Sequence, residues 1–467
     1  MQQPPSGKAP IAVSRPSLAE LHAIGKSLRE KCPRHSHADW KAPDNRPDPL
    51  RLLEQSNKGR LPELIPIRFG RMVRTPFTFY RGAALNMAAD LARTPTTGIR
   101  VQACGDCHLL NFGTYATPER RLLFDINDLD ETLPAPWEWD VKRLAASVVL
   151  ACRNNGFSKG DTRDAVLACV HSYRKRMAEY SDMSALEMWY VSLDADNIVA
   201  TLEDEGARRR ALKRTAAALE HNVLEHDFPK LVALAGQAPT IKDNPPQIYH
   251  PSKERGEELL TRARDAYSGY RESLRDDRRV LLDRFELKDV AIKVVGVGSV
   301  GTYCCVMLLI ASEKDPLFLQ VKEARASVLE AYAGKSIYAN HGQRVVNGYY
   351  LIQAASDIFL GWAKGKLGRH VYVRQLKDMK VGAQPELFSP GFMVEYAELC
   401  GWALAQSHAR SGEPAQISGY LGKSDAFDTA IAAFASAYAD QSERDHAIFK
   451  KAVRSGQVAV DMEGDRG

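Results

Sequence analysis

No apolar run in this chain approaches the roughly 20 residues needed to cross a bilayer. Met1 to Pro16 lacks the apolar core of a secretory signal and reads as an arm rich in Pro and Ser. These two absences lead to the expectation of a cytoplasmic protein without a membrane partner. Charge of one sign is also scarce. A net charge of +5 over 467 residues is compatible with an anionic ligand but does not argue for nucleic acid, which would need basic residues gathered on one face. Internal repeats and long low-complexity tracts are missing, which excludes solenoids and propellers. Cysteines number eight, and several lie inside apolar runs (Cys152, Cys169, Cys304, Cys305, Cys400), as reduced buried thiols do. Cys104-Gly-Asp-Cys107-His108 spells the C-x-x-C-H pattern of haem attachment, but that chemistry belongs to exported proteins. No second ligand pair stands at a spacing that would complete a zinc site.

What is present is an ordinary globular composition, 45% hydrophobic and 26% charged. The length suggests two lobes. Residues 17–60 are polar, with one helix expected near Leu18–Lys31. Helical spacing is expected in the second half of Phe77–Ala92. A strand over Ile99–Ala103 and a hairpin over 111–126, turning at Thr117–Arg121, come next. Trp139–Cys152 reads as an apolar helix, 160–235 as mostly helical, 236–256 as a loop, and Lys253–Leu282 as a further helix. The character changes near 287. Residues 290–325 are strand-like, followed by a helix at about 341–355, a hairpin over 357–376 and terminal helices.

Asp106 and Asn111 form D-x-x-x-x-N just after a short strand and before a hairpin. Phosphoryl transfer needs a carboxylate to orient an attacking hydroxyl and an oxygen ligand for Mg²⁺ nearby, and a tight loop can hold both five residues apart. A second carboxylate must bridge the metal to the phosphates. Asp125, Asp128 and Asp130 all cluster at the end of the next strand. An acidic surface turn would explain one such cluster but not the whole order.

Gly296-Val-Gly298-Ser299-Val-Gly301 is a G-x-G-x-x-G run, open to a dinucleotide or a kinase reading. A dinucleotide loop opens a helix. Here Thr302–Ile310 reads as a strand, and a second strand, Leu317–Lys322, follows a turn. Strand, glycine loop, strand, turn and a strand carrying Lys is the ATP-covering arrangement of kinases, in which Lys322 would pair the α- and β-phosphates. Glu330 is the expected acidic partner of Lys322, with Glu323 pointing to the other face. Gln375–Met379 is the expected hinge on which adenine would bond. Phe79-Tyr-Arg81 offers a guanidinium to phosphate or to a local ion pair; Arg374 and Lys380 could touch a ligand or lie on the surface.

Gly105-Asp106-x-His108-x-x-Asn111, an apolar strand ending in Asp-x-Asp, then Trp139-Asp140-Val-Lys-Arg143-Leu resemble the aminoglycoside- and choline-kinase branch of the protein-kinase-like superfamily. The resemblance implies Asp106 as catalytic base, Asn111 and Asp128 as Mg²⁺ ligands, with Asp125 as the alternative, and Asp140 as anchor of the catalytic loop. Cys104 departs from that branch, which has His there, and the hairpin is a few residues longer. Asp106 precedes Gly296 by 190 residues, the reverse of the usual order. Both assignments together imply a circular permutation. Stretches from Thr75–Gly82 to His408–Gly412 also resemble a mostly bacterial family known as domain of unknown function 2252.

The expected fold is therefore α+β, protein-kinase-like, two-lobed and permuted. Residues 1–60 form an arm, 61–285 a helical lobe with the catalytic and metal loops, 286–380 a β-rich nucleotide lobe, and 381–467 helices returning to the helical lobe. The expected activity is ATP- and Mg²⁺-dependent phosphate transfer to a hydroxyl of a small molecule or protein. A nucleotide-binding pseudokinase, a nucleotidyl transferase and a Rossmann-type NAD(P) protein are the alternatives.

Overall fold

The structure is a computed structural model that describes residues 15–219, 231–235, 238–251, 253–294, 296–312, 315–365, 368–376 and 381–462. Residues 1–14 of the N-terminal arm, residues 377–379 of the expected hinge and Lys380 lie outside the described residues. The fold is mixed α+β, with helix predominating and the strands gathered in small sheets.

The chain opens with five helices: α1 (Leu18–Ser27), α2 (Pro49–Asn57), α3 (Ile65–Val73), α4 (Pro76–Gly82) and α5 (Ala84–Leu91). The residues before α2 and α4 explain their starts. Asp48 accepts from the Leu50 and Arg51 amides, Thr75 caps Thr78, and each helix has proline in its first turn. The segment expected as a surface arm with one helix thus holds a second, α2, with Leu52 and Leu53 buried. β1 (Arg100–Ala103) leads to the hairpin β2 (Phe112–Ala116) and β3 (Leu122–Ile126). β4 (Leu133–Pro136) pairs antiparallel with β1 in a two-stranded sheet, where both of its prolines are tolerated because each strand has a free edge.

Two long helices follow, α6 (Trp137–Asn154) and α7 (Lys159–Ser181), with shorter ones over 185–219. The stretch expected as a loop holds strands instead: β5 (Val232–Ala235) and β6 (Ala238–Ile241) pair, and β7 (Ile248–Tyr249) pairs with β8 (Glu286–Lys293). The helix expected to run to Leu282 is α8 (Lys253–Ser273), broken where Arg275 turns extended before a short second helix. β9 (Cys304–Ile310), β10 (Pro316–Ala324), helix α9 (His341–Ile352), β11 (Gly361–Lys364) and β12 (His370–Gln375) complete a six-stranded sheet of order β11-β12-β10-β9-β8-β7. Its antiparallel register sets Lys322 opposite both Tyr372 and Cys304. α8 covers one face: the Tyr270 hydroxyl donates to the Phe359 carbonyl, and the Trp362 amide donates to Ser273. The sheet's packing helix therefore begins well before residue 286, where the β-rich unit was expected to start.

β13 (Val381–Gly382) then adds to β2, and helices α10 (Pro390–Ser411), α11 (Pro414–Leu421) and α12 (Ala426–Arg454) end the chain. The main core is built by α6, α7, α10 and α12, with Trp137 stacked on Tyr173. Among the described residues no helix is long and apolar enough to cross a membrane.

α7 and α10 approach so closely that a Cβ on Gly401 would stand 2.0 Å from the Cys169 carbonyl oxygen. Backbone cannot give way as a side-chain tip can, so Gly401→Ala should destabilise the fold by about 1–3 kcal/mol. An unchanged urea midpoint would show that the two helices part without cost.

Candidate active site

The D-x-x-x-x-N loop hangs from one face of α6. Asp140, Arg143 and Ser147 are spaced three and four residues apart, which puts them on one side of the helix. Asp140 accepts from the Cys104 and Gly105 amides at 2.6 and 3.0 Å. Arg143 grips Oδ1 of Asp106 through Nε at 2.7 Å and through Nη2. Ser147 accepts from the Leu109 amide at 2.9 Å. Gly105 has φ +84°, and a Cβ there would strike the Glu131 carbonyl at 2.4 Å, so glycine is required at this turn. Within the loop, Asn111 donates its amide to the Asp106 carbonyl at 2.6 Å. Its own carbonyl accepts from the Asn127 amide at 2.7 Å, which ties the loop to the approach to Asp128.

Behind this loop stands His408, fully buried, with Nε2 3.3 Å from Asp140 and Nδ1 2.8 Å from the Tyr173 hydroxyl. It stands in the last turn of α10, and the fold turns it inward. Cys104 and Cys107 are completely buried, and burial pushes the Cys107 thiol well up, so neither offers a surface thiolate for haem attachment.

Across from the loop, Lys322 arrives from the middle of the sheet. Its ammonium lies 2.7 Å from Oδ2 of Asp130 and 3.7 Å from Oδ1 of Asp128. Tyr372, its cross-strand neighbour, donates to the other Asp130 oxygen at 2.5 Å. Burial alone would lower the Lys322 ammonium; Asp128 and Asp130 outweigh it and hold the pKa above the ordinary value. Burial and the Asp130 charge push the Asp128 carboxyl up. For Asp130 burial acts upward too, but the Lys322 charge and hydrogen bond win and hold it down. Arg344 on α9 fixes the connecting loop by donating to the backbone oxygens of Asp130 and Arg325.

The glycine run joins β8 to β9 and folds over this cluster. Gly296 and Gly301 have φ of +68° and +85°. A Cβ on Gly298 would lie 3.2 Å from the Arg81 carbonyl and 3.9 Å from Oδ2 of Asp106, the oxygen that Arg143 leaves free. Thr302 bonds back to the Ser299 carbonyl. The cleft beneath, of about 240 Å³, is lined by Asp106, Asp128, Asp130, Gly298 and Ser299. More apolar cavities lie beside Met307 and beside Phe392, but they hold none of the residues that the sequence singles out.

The structure thus brings Asp106, Asp128, Gly298 and Ser299 to one cleft, with Lys322 buried behind its acidic wall against Asp128 and Asp130 and Asn111 a hydrogen bond behind Asp106. Asp125 is elsewhere: it is buried in β3, accepting from the Ile126 and Ala354 amides. Two expectations are corrected. Glu330 does not pair with Lys322; it lies on the short helix Glu330–Ala333, accepts from the Ser327 amide and stands 3.8 Å from His341. Asp130 takes its place because the loop holding Asp128 and Asp130, and not the short helix of Glu330, faces the lysine. Glu323, as expected, faces away and binds Arg369. Gln375 does not offer a free amide for adenine, since its N–H bonds to Asp357, and it borders a separate cavity of about 50 Å³ with Arg374. Arg374 is no surface charge: it donates to the Asn127 carbonyl and the Tyr349 hydroxyl.

One family model matches, described as an uncharacterised protein conserved in bacteria (DUF2252), over residues 60–452. The chain belongs to the DUF2252 family. The match takes in the cleft from Arg60 to the sheet and the helices that carry Asp140 and His408. No curated protein matches, and no solved structure matches.

Burial pushes the Asp125 carboxyl up to about 7. Its unfolded value is about 3.9, so the folded state holds the extra proton between the two. The folded chain therefore loses stability as pH rises from about 4 to 7, by a few kcal/mol at most for a shift of this size. Asp125→Asn should be nearly neutral at pH 4 and stabilising above pH 7 in urea unfolding. A stability difference that does not change with pH would remove Asp125 from this role.

Proposed function

We propose that the protein is an ATP- and Mg²⁺-dependent phosphotransferase with a protein-kinase-like fold in permuted order, acting on a hydroxyl group. The observation that carries this reading is the Lys322–Asp130 pair. Its members are 192 residues apart in the chain, yet they meet in the cleft that Asp106 and the glycine loop also line. The sheet adds support. Along β8-β9-β10-β12-β11 the glycine loop joins the first two strands, the third carries Lys322, and α9 lies between the third and fourth strands in sequence. One departure stands: Glu330, the expected acidic partner of the lysine, lies away from it on the helix Glu330–Ala333, and Asp130 supplies that charge.

Among the described residues no group of three His, Cys, Asp or Glu side chains could hold a metal by itself. Mg²⁺ in nucleotide sites commonly takes only one or two carboxylates together with phosphate oxygens. Asp128 with Asn111 fits that need, and the strain of two close carboxylates at 128 and 130 is what a cation relieves. When bound, the ion supplies charge neutralisation at the phosphate oxygens. Oδ2 of Asp106 orients the hydroxyl and receives its proton as the oxygen forms a bond to the γ-phosphorus. The bond from that phosphorus to the β,γ-bridging oxygen breaks, and ADP leaves with its electron pair. Arg143 keeps Asp106 aimed; Lys322 turns from Asp130 toward the phosphates. Gly298, without a Cβ, lets backbone approach them closely.

The Arg143–Asp106 pair also favours a second reading. With one oxygen of Asp106 already engaged by Arg143, the carboxylate suits a positioning role, as in a nucleotide-binding protein or a nucleotidyl transferase. For the dinucleotide reading, Gly301 opens a strand and leaves no helix N-terminus for a pyrophosphate.

Titration with ATP and NADH, each with and without Mg²⁺, tests the proposal. ATP should bind with Mg²⁺, and Asp128→Asn should weaken it about tenfold or more, the scale of one lost charge-assisted contact. Mg²⁺-independent NADH binding without ATP binding would sink the kinase reading. Asp106→Ala should cut turnover by about 10²–10⁴-fold with ATP affinity nearly unchanged, because the base touches the acceptor more than the nucleotide. Undiminished turnover in that variant would remove Asp106 from the role of base.

A further inference from the structure

Four arginines converge on the cleft beside Asp106: Arg60, Arg68, Arg81 and Arg325. None forms an ion pair with a carboxylate among the described residues. Each acidic group in the cleft is engaged elsewhere. Asp106 is held by Arg143, Asp128 and Asp130 face Lys322, Glu323 binds Arg369, and Glu131 accepts from the Val328 amide. Arg60 donates to the Ser56 and Val300 carbonyls, and Arg68 donates to Asn57 and to the Gly82 carbonyl. Arg325 donates to the Lys58 carbonyl. Arg81 donates no side-chain hydrogen bond, and the Nε atoms of Arg68 and Arg81 are buried without an acceptor.

Holding buried guanidinium groups without a counter-ion is costly. The pKa directions agree: burial first, then neighbouring arginines, push Arg60 down to about 10 and Arg68 well below its ordinary value. Carbonyl contacts alone account for the packing of Arg60 and Arg68 but not for the gathering of four cations at one cavity. An anion with several oxygens would satisfy the free Nε groups and offset the charge.

We propose that this cluster seats an anionic group of the acceptor, so that the substrate is a hydroxyl compound that also carries a phosphate or carboxylate close to the reacting hydroxyl. The inference rests on the phosphotransferase reading. The nucleotide's phosphates already have Lys322 and the Asp128 side of the cleft. Three of the arginines come from the segment of α2 to α4 and Arg325 directly follows β10; Arg81 lies where Gly298 meets Asp106, next to the carboxylate that would face the acceptor hydroxyl. In a cleft of about 240 Å³ the anion and the hydroxyl must belong to closely joined parts of one molecule.

The test titrates the full chain with inorganic phosphate and, in a parallel arm, with acetate, each with and without a saturating non-hydrolysable ATP analogue and Mg²⁺. Phosphate or acetate should bind both free and nucleotide-loaded chain with similar affinity; whichever binds tighter names the substituent. Arg81→Gln should weaken that binding about tenfold, the scale of one charge-assisted contact, and Arg81→Lys should recover part of it. Nucleotide affinity should not move in either variant. Thermal melting should barely change, because the Arg81 side chain donates no hydrogen bond. No anion binding at millimolar concentration, or anion binding unaltered by Arg81→Gln, would overturn the site. Displacement of the anion by nucleotide, or a parallel loss of nucleotide affinity, would assign the arginines to the nucleotide and overturn the acceptor assignment. Failure of the unaltered chain to bind nucleotide would count against the phosphotransferase reading alone, leaving the anion site to the free-chain titration.

Discussion

A single buried ammonium holds the cleft together. Lys322 has its side chain 3% exposed and stands between Asp128 and Asp130. Without it, two carboxylates separated by one residue would repel each other in a poorly solvated place. With it, the loop of Asp128 and Asp130 is drawn against the sheet and the late part of the chain is tied to the early part. Tyr372 reinforces the same carboxylate from the neighbouring strand, so sheet register and loop position depend on each other. A buried ion pair is not itself a large source of stability. Its value here is specificity, because only one docking of sheet on loop leaves no charge alone.

The other half of the site is organised by α6. One of its faces presents a carboxylate, a guanidinium and a hydroxyl to the amides of Cys104, Gly105 and Leu109 and to the carboxylate of Asp106. Backbone donors that would otherwise be orphaned are satisfied by side chains on a rigid element, which fixes Asp106 more closely than a free loop could. His408 and Tyr173 extend this support from α10 and α7 into the core. The main hydrophobic core and the candidate catalytic loop are therefore one continuous construction.

Much of this was legible along the chain because it is local. The Trp137–Asn154 helix, the hairpin with its turn at Thr117–Arg121 and the strand after the glycines follow from periodicity and turn residues. So does the choice of Asp106 and Lys322 as chemistry-bearing groups. Other features were hidden because the information is not local. β4 carries two prolines and is a strand only through its pairing with β1. β7 has two residues and exists only beside β8. Glu330 stood at a plausible spacing from Lys322, yet spacing cannot tell which way a short helix faces. Asp130, which does pair with Lys322, looked like one of three equivalent turn acids.

By itself the sequence determined the kinds of groups available and their order: a D-x-x-x-x-N loop, an acidic strand end, a glycine run and a lysine strand, on elements whose periods and caps are written into neighbouring residues. Tertiary structure alone decided which of these meet. It selected Asp128 and Asp130 over Asp125 and turned His408 inward. It also brought Arg60, Arg68 and Arg81 together at the cleft. The physical reason is that charge pairing and burial depend on distance in space, and residues far apart in the chain acquire that distance only when the sheet docks on the loop.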